Sequence, residues 1–435
     1  MMKSAVACAG CLFMLGSAYA QDRIPDSLTV RASVQWVLDH NPAVRQADEG
    51  MVAARARTGQ SASGYYPKVD AVASYTRLGP VAELFFPGLG NFELFPENNY
   101  DGHIGVDQTV FDFGKRGASV DVDESSAQTS ADNVALVKSN LAFQTIQAFY
   151  AILFLEQSSR VQEEQVRALR EHLLITERKV QNSSATEFDV LTTQVRVAAA
   201  ETQKIDVDNE LAKEQVQFRR LLGAPPATLL NLRGDFTLEP VGLSLDSLLA
   251  VARLQRAELI LARDAERTAT LRTRSASLND APSLKVELAY GVKNGYIPNL
   301  DVLRGNWVAA ALVEVPIFDG QKTGSMEQEA EAQARAAAEK TSDVDRQVEA
   351  EVQQSVDDVL ANRAKVETSE LQVQQAKKAV SLAALGYENG VSTNLDVIDA
   401  HTALAEAELV RLQTLFRYVV SRYALERAVG GHLEY

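Results

Sequence analysis

The chain has almost no cysteine. Its only two, Cys8 and Cys11, lie in an N-terminal stretch with one charge at Lys3, an apolar run from Ala5 to Leu15, and the small-residue ending Ala18-Tyr19-Ala20. That pattern predicts a cleavable secretory signal over residues 1–20. The mature chain then has no thiol, no disulfide and no cysteine metal site. Acylation at Cys11 is the alternative, since Ala9-Gly10 precede it, although Cys8 stands where an aliphatic residue is usual. Long apolar runs are missing too: no stretch approaches the roughly 20 residues of a membrane-spanning helix, so any contact with a membrane must be made by strands. Cationic surplus is absent, with 43 Lys and Arg against 58 Asp and Glu and a net charge of −15. Such a chain is a poor nucleic-acid binder, having no surplus to neutralise phosphates, and no nucleic acid is expected as a partner. His40, His103, His172, His401 and His432 never pair at ligand spacing, and no phosphate loop or nucleophile elbow occurs. No enzyme, metal site or cofactor emerges.

What is present is a duplication. Asn182, Thr186, Asp189 and Val190 recur as Asn389, Thr393, Asp396 and Val397, each 207 residues later. Asn389-Gly390 is turn chemistry, and Thr393 three residues before Asp396 is a capping-box spacing that opens a helix. Two long helices therefore arrive, turn and leave. The order helix, strands, helix, helix predicts one structural repeat over 21–240 and a second over 241–435.

Each repeat holds a pair of alternating segments. Val69, Ala71, Ala73 and Tyr75 oppose Asp70, Ser74 and Thr76, with a partner from about Gly102 to Phe113 across a Gly/Pro/Asn-rich loop at about Leu78 to Asp101. Leu284, Val286, Leu288, Tyr290 and Val292 oppose Lys285, Glu287 and Lys293, with a partner from about Asn306 to Ile317. About ten residues of this pattern suit a tilted strand of an outer-membrane barrel. Four strands close no useful bore, so the chain must oligomerise, and a trimer with twelve strands leaves a passage where a dimer with eight nearly fills itself. A small soluble sheet with one wet face is the bland alternative. Trp307, Tyr75 and Tyr290 are candidates for interface aromatics or for ordinary packing.

From Lys115 to Val180, and again from Lys322 to Tyr387, nothing breaks a helix, giving about 100 Å each at ~1.5 Å per residue. Val352, Val359, Val366, Val373 and Val380 recur every seven residues, the period of a left-handed supercoil. Shorter return helices run from about Glu187 to Leu222 and Leu395 to Val429, ending at Gly223 and Gly430. A further helical pattern spans Val30 to about Gly64, interrupted at Asn41-Pro42, and another spans Leu245 to about Ser277. A short return helix stacked on the short helix leading into the next strand matches one long helix, with the irregular stretch between them as a belt.

With this duplication, the Phe318-Asp319-Gly320 turn after a strand, and tips reading Asp189-Val190-Leu191 and Asp396-Val397-Ile398, the chain resembles the outer-membrane efflux protein family, the TolC-type channels of Gram-negative bacteria. The resemblance implies a mainly α chain with a β-barrel part: a homotrimer whose twelve-stranded barrel sits among outer-membrane lipid and continues as an α-helical barrel across the periplasm. It implies a periplasmic adaptor (membrane fusion) protein and an inner-membrane pump as partners, with export of small molecules or proteins. It also assigns a periplasmic gate to Asp396 and Asp399, which match two constricting aspartates, with Tyr387 and Asp189 helping to hold the closed state. The exposed turns, Asn182, Ser183, Ser184 and Ala185 in one tip and Asn389, Gly390, Val391 and Ser392 in the other, are the expected adaptor contact. Two positions depart from the family pattern: Ser392 stands where an arginine contributes to the lock, and Ser183 where glycine is common. A structural reading competes for Asp189 and Asp396, both at capping distance from a threonine; Asp399, one turn further in, escapes it. At the level of the whole chain, the competing reading is a periplasmic coiled-coil tether that does not conduct.

Overall fold

A computed structural model describes residues 24–25, 27–88, 90–238 and 244–431, so the signal at 1–20, with both cysteines, and His432 lie outside the described residues. In chain order the elements are α1 (Val30–His40), α2 (Pro42–Ala62), β1 (Lys68–Arg77), β2 (Glu83–Phe86), β3 (Gly90–Glu93) and β4 (Asn98–Phe111). Then come α3 (Lys115–Gln181), α4 (Glu187–Leu222), α5 (Leu245–Gln255), α6 (Ala257–Ser277), β5 (Ser283–Lys293), β6 (Arg304–Glu314), α7 (Lys322–Glu388) and α8 (Asn394–Val429). Both long helices have 67 residues and both return helices 36.

The boundaries have local causes. Ahead of α3, Asp112 accepts hydrogen bonds from the N–H groups of Gly114 (3.2 Å) and Arg116 (3.1 Å) and from Arg116 Nε (2.6 Å). Asp319 serves α7 the same way, accepting from the N–H of Thr323 at 2.8 Å and its hydroxyl at 2.6 Å. The shared Phe-Asp turn is thus an anionic cap that satisfies donors a helix start leaves free. At the far ends, Gly223 (φ 67°) and Gly430 (φ 75°) take the left-handed conformation that closes α4 and α8.

One four-stranded antiparallel sheet has the order β1-β4-β5-β6. Its register sets Val69, Val106, Leu288 and Ala309 in one row and Ala71, Ile104, Tyr290 and Trp307 in the next, while Lys68, Asp107 and Glu287 share a row on the opposite face. Tyr290 and Trp307 are 72% and 75% exposed. Among the described residues the apolar face has no cover, and β1 and β6 are open edges. Three details differ from the sequence reading. Residues 78–101 are not all loop, because β2 and β3 form a hairpin there and β4 begins at Asn98, where Asn294 holds it by accepting from the Tyr100 N–H (2.8 Å) and donating to the Asn98 carbonyl (2.6 Å). β6 ends at Glu314 rather than near Ile317, since Pro316 has no N–H to give a ladder.

The third difference is a break at Arg256 in what reads as one helix from Leu245 to Ser277. This break is the partner of the one at Asn41-Pro42. Asn41 Nδ2 donates to the Leu221 carbonyl (3.1 Å) and Trp36 Nε1 to that of Leu222 (3.0 Å), tying the joint between α1 and α2 to the end of α4. Arg256, 3% exposed, donates to the Arg427 carbonyl at 2.6 Å and pairs with Glu258 and Glu351, both at 2.7 Å, tying the second joint to the end of α8. Below the joints α3 lies between α4 and α8, and α8 between α3 and α7; above them α3 lies between α2 and α6, and α6 between α3 and α7. So α2 continues the line of α4, and α6 that of α8, beside two unbroken helices. The main core sits at the joints, where Val34, Val37, Ile146, Phe149, Phe218 and Tyr418 are fully buried. Leu28 and Leu232 form a parallel bridge there, with N–H to carbonyl distances of 2.9 and 2.8 Å on its two sides, as the belt expected of the irregular stretch.

Candidate functional site

The heptad valines carry the long helices toward the tips: Val352, Val359, Val366 and Val373 of α7 are buried, and the same spacing reaches Tyr387, 7% exposed. Just beyond it the chain turns. Asn389 caps α7, Gly390 takes φ 74°, and the N–H groups of Val391 (2.8 Å) and Ser392 (3.1 Å) both donate to the Gly386 carbonyl. The first tip repeats this with Asn182 as cap, Ser183 at φ 53°, and the Ser184 N–H donating to the Lys179 carbonyl at 2.7 Å. Ser183 therefore holds, at a steric cost, the conformation that Gly390 adopts freely. Asn182, Ser183, Ser184, Asn389, Gly390 and Val391 are exposed, while Ala185 and Ser392 are half-buried.

Both return helices open on complete capping boxes. Thr186 Oγ1 accepts from the Asp189 N–H at 3.2 Å and Asp189 Oδ2 accepts from the Thr186 N–H at 2.9 Å; for Thr393 and Asp396 the distances are 3.2 and 2.7 Å. The hydrogen bonds from Thr393 hold the Asp396 carboxyl below its ordinary range. Asp399 is free of that duty. Its side chain is 58% exposed and lies 3.8 Å from Arg196 of α4.

Beneath the exposed turns is a buried cluster that the sequence reading did not single out. Asn394, the first residue of α8, meets His172 Nε2 at 2.7 Å, Thr176 Oγ1 at 3.3 Å and Thr193 Oγ1 at 3.2 Å, and donates to the Asp189 carbonyl at 3.1 Å. Tyr387 stacks edge-on against His172 with ring centroids 5.0 Å apart, its hydroxyl is 3.5 Å from Thr176, and Lys179 Nζ lies 3.9 Å from the centre of its ring while donating to its carbonyl. The structure thus gathers Tyr387 and the Asp189 backbone at one point and leaves the Asp396 and Asp399 carboxylates outside it. The signal for the cluster was available: Ser158, Gln162, Gln165, Leu169, His172 and Thr176 are buried at alternating spacings of four and three, a coiled-coil seam carrying polar side chains.

A mainly helical chain with duplicated hairpins, a four-stranded sheet with an uncovered apolar face, and tips at the far end defines a membrane-anchored channel subunit. The chain belongs to the outer membrane efflux protein family, which it matches over residues 34–224 and 247–431. It is 22% identical to the outer membrane protein TolC of Vibrio cholerae over 317 residues, 72% of each chain. It is also 22% identical to the alkaline protease secretion protein AprF of Pseudomonas aeruginosa over 323 residues, 72% of this chain and 66% of that one. Among solved structures, its fold matches the Vibrio cholerae outer membrane protein VceC with a TM-score of 0.79 at 18% identity, covering 93% of this chain and 97% of that one. The Campylobacter jejuni CmeC outer membrane channel matches with a TM-score of 0.82 at 16% identity, covering 92% and 85%. Membership places the protein in the outer membrane with a large periplasmic part, and points to transport rather than catalysis.

Proposed function

We propose that this protein is the exit duct of a tripartite efflux or type I secretion system, working as a homotrimer with a periplasmic adaptor and an inner-membrane pump. In that assembly twelve strands form one barrel in the outer membrane, and the long helices continue it as an α-helical barrel; residues 21–240 and 241–435 are the two repeats that each subunit contributes. The observation that carries this reading is that everything at the two lateral margins of the protomer is unfinished. β1 and β6 are unpaired edges, which no membrane strand can leave open. The marginal helices match them: α4 exposes Phe188, Leu191, Val195, Ile205 and Val216 at coiled-coil spacing, and α7 exposes Leu360, Leu371, Leu382 and Leu385. Those two apolar rows suit each other across a heterologous interface that closes into a ring.

The tips are the periplasmic entrance in this reading. Asp396 and Asp399, three apart on one helix, supply under threefold symmetry six carboxylates at one constriction, with Asp189 and Tyr387 holding the neighbouring hairpin. The exposed turns at 182–185 and 389–392 are the adaptor's contact. Single-channel recording of the purified protein in planar bilayers tests both parts. Millimolar trivalent cations on the periplasmic side are expected to block the current, and Asp396→Asn with Asp399→Asn to raise the blocking concentration at least tenfold without loss of the trimer. Correct insertion with no conductance under any condition would leave the tether reading instead.

A further inference from the structure

At the tips, α3 and α4 form one hairpin and α7 and α8 the other, and the Asn394 cluster is where they meet. His172 (4% exposed), Thr176 (0%), Thr193 (0%), Tyr387 (7%) and Asn394 (6%) come from all four helices. The donors can be assigned. Thr193 Oγ1 gives its hydrogen to the Asp189 carbonyl at 2.7 Å and accepts from Asn394 Nδ2, whose other hydrogen goes to that same carbonyl. Asn394 Oδ1 is therefore left as an acceptor, and His172 must carry its proton on Nε2 to fill it. One amide thus binds the first turn of α8 to α3 and α4 together.

We propose that His172 and Asn394 form a proton-sensitive latch, which keeps the two hairpins together at the entrance and releases them in acid. The proposal rests on the exit-duct reading of the tips. Asn394 acts as a positioning residue, since it carries the start of the helix on which Asp396 and Asp399 stand.

The charged and titratable neighbours of His172 decide the direction. On α3 the cation is Lys179, drawn in over the Tyr387 ring of α7; on α8 the titratable neighbour is His401, itself influenced by Glu171 of α3. From α4 come the Thr193 hydroxyl and the Asp189 carbonyl, the Asp189 carboxylate being turned to its own cap, with Arg196 one turn further on beside Asp399. Burial pushes the His172 imidazole below its ordinary 6.5 and Lys179 adds to that, against the hydrogen bond that His172 donates to Asn394. His401 is lowered likewise, by burial and by His172. A second proton on His172 would keep the Nε2 bond yet place a buried cation beside the Lys179 ammonium and disfavour a proton on His401. The closed tip therefore prefers the neutral ring, whereas a solvated, open tip restores the ordinary value. Closure is fully stabilised above about pH 6.5 and loses that stabilisation as pH falls below it.

The test is conductance of the purified trimer in planar bilayers at pH 8.0 and 5.5, with hydrogen exchange of the 385–402 segment as a second reading. The wild type is expected to conduct at least threefold more at pH 5.5. His172→Gln keeps a donor for Asn394 without titrating, and its low conductance should not change with pH. Asn394→Leu, with Thr193→Val as a second variant should the first not assemble, should conduct at the acid level at both pH values. Exchange over 385–402 in acid should be severalfold faster in the wild type than in His172→Gln at the same pH. A pH response that survives His172→Gln, or that disappears only with His401→Gln, overturns the latch, as does wild-type conductance in Asn394→Leu and Thr193→Val. If no variant conducts at either pH, the exit-duct reading fails, and the exchange comparison alone decides for or against the latch.

Discussion

Asp396 and Asp399 stand three residues apart and meet different surroundings, the first spent on its own helix start and the second beside a cation. Arg196 lies 3.8 Å from Asp399 with both side chains about half exposed, a contact worth little in stability but present wherever that carboxylate is to attract cations. Arg196→Gln is expected to lower the concentration of trivalent cation needed for block severalfold, measured in the same bilayer recordings. A third carboxylate obeys another rule. Asp264 of α6 is pushed up to about 6 by burial, with the Asp132 carboxyl of α3 beside it adding to the effect. A carboxyl raised on folding contributes stability that is complete below its unfolded value of 3.8 and is lost as pH rises through about 6. Because water reaches this half-buried pair and screens it, the effect is smaller than the full shift implies: Asp264→Asn should raise thermal stability at pH 8 by on the order of 1 kcal/mol and leave it nearly unchanged at pH 4, as read by circular dichroism melts at the two pH values.

The elements were legible in the sequence wherever their causes are local. Unbroken helical sequence from Lys115 and Lys322, the threonine caps and the terminal glycines fixed the long and return helices to within a residue or two. The joint at Arg256 was not legible, because no proline or glycine marks it; what makes it is the end of α8, 171 residues away along the chain. Of the Asn394 cluster only the polar seam of α3 was open to a reading of the sequence; its meeting with Asn394 was hidden for the same reason, the partners lying 201 to 222 residues distant. The joint can be probed through its glycine. A Cβ on Gly223 would meet nothing within 4 Å, whereas one on Gly430 would come 2.6 Å from the Gln255 backbone. Gly223→Ala should cost only the left-handed penalty, about 1–2 kcal/mol, while Gly430→Ala should cost more, because the α5 to α6 joint must also move. Comparative melting of the two variants checks the order.

For the whole molecule, the decisive property is that the protomer is incomplete. Its sheet has two open edges, and its marginal helices present apolar rows that nothing among the described residues covers. Val195→Asp with Ile205→Asp places two carboxylates in the α4 row, where they are 67% and 66% exposed in the lone protomer and harmless to its core. The expected outcome is loss of the trimer with the helical content of the chain retained, seen by native mass spectrometry and circular dichroism. A trimer unaffected by both changes would place the contact between neighbours elsewhere.

The two joints also set the mechanics of the duct. Of the four helical lines in each protomer, those of α3 and α7 run without interruption past the level of Asn41 and Arg256, and the other two are jointed there. A load applied at the tips is expected to tilt α4 and α8 about the joints, straining the hydrogen bonds around Asn41 and Arg256 and the core in which Phe218 and Tyr418 are buried. The same load must bend α3 and α7 along their whole length. The return helices are thus expected to be the compliant members and the unbroken α3 and α7 the stiff ones.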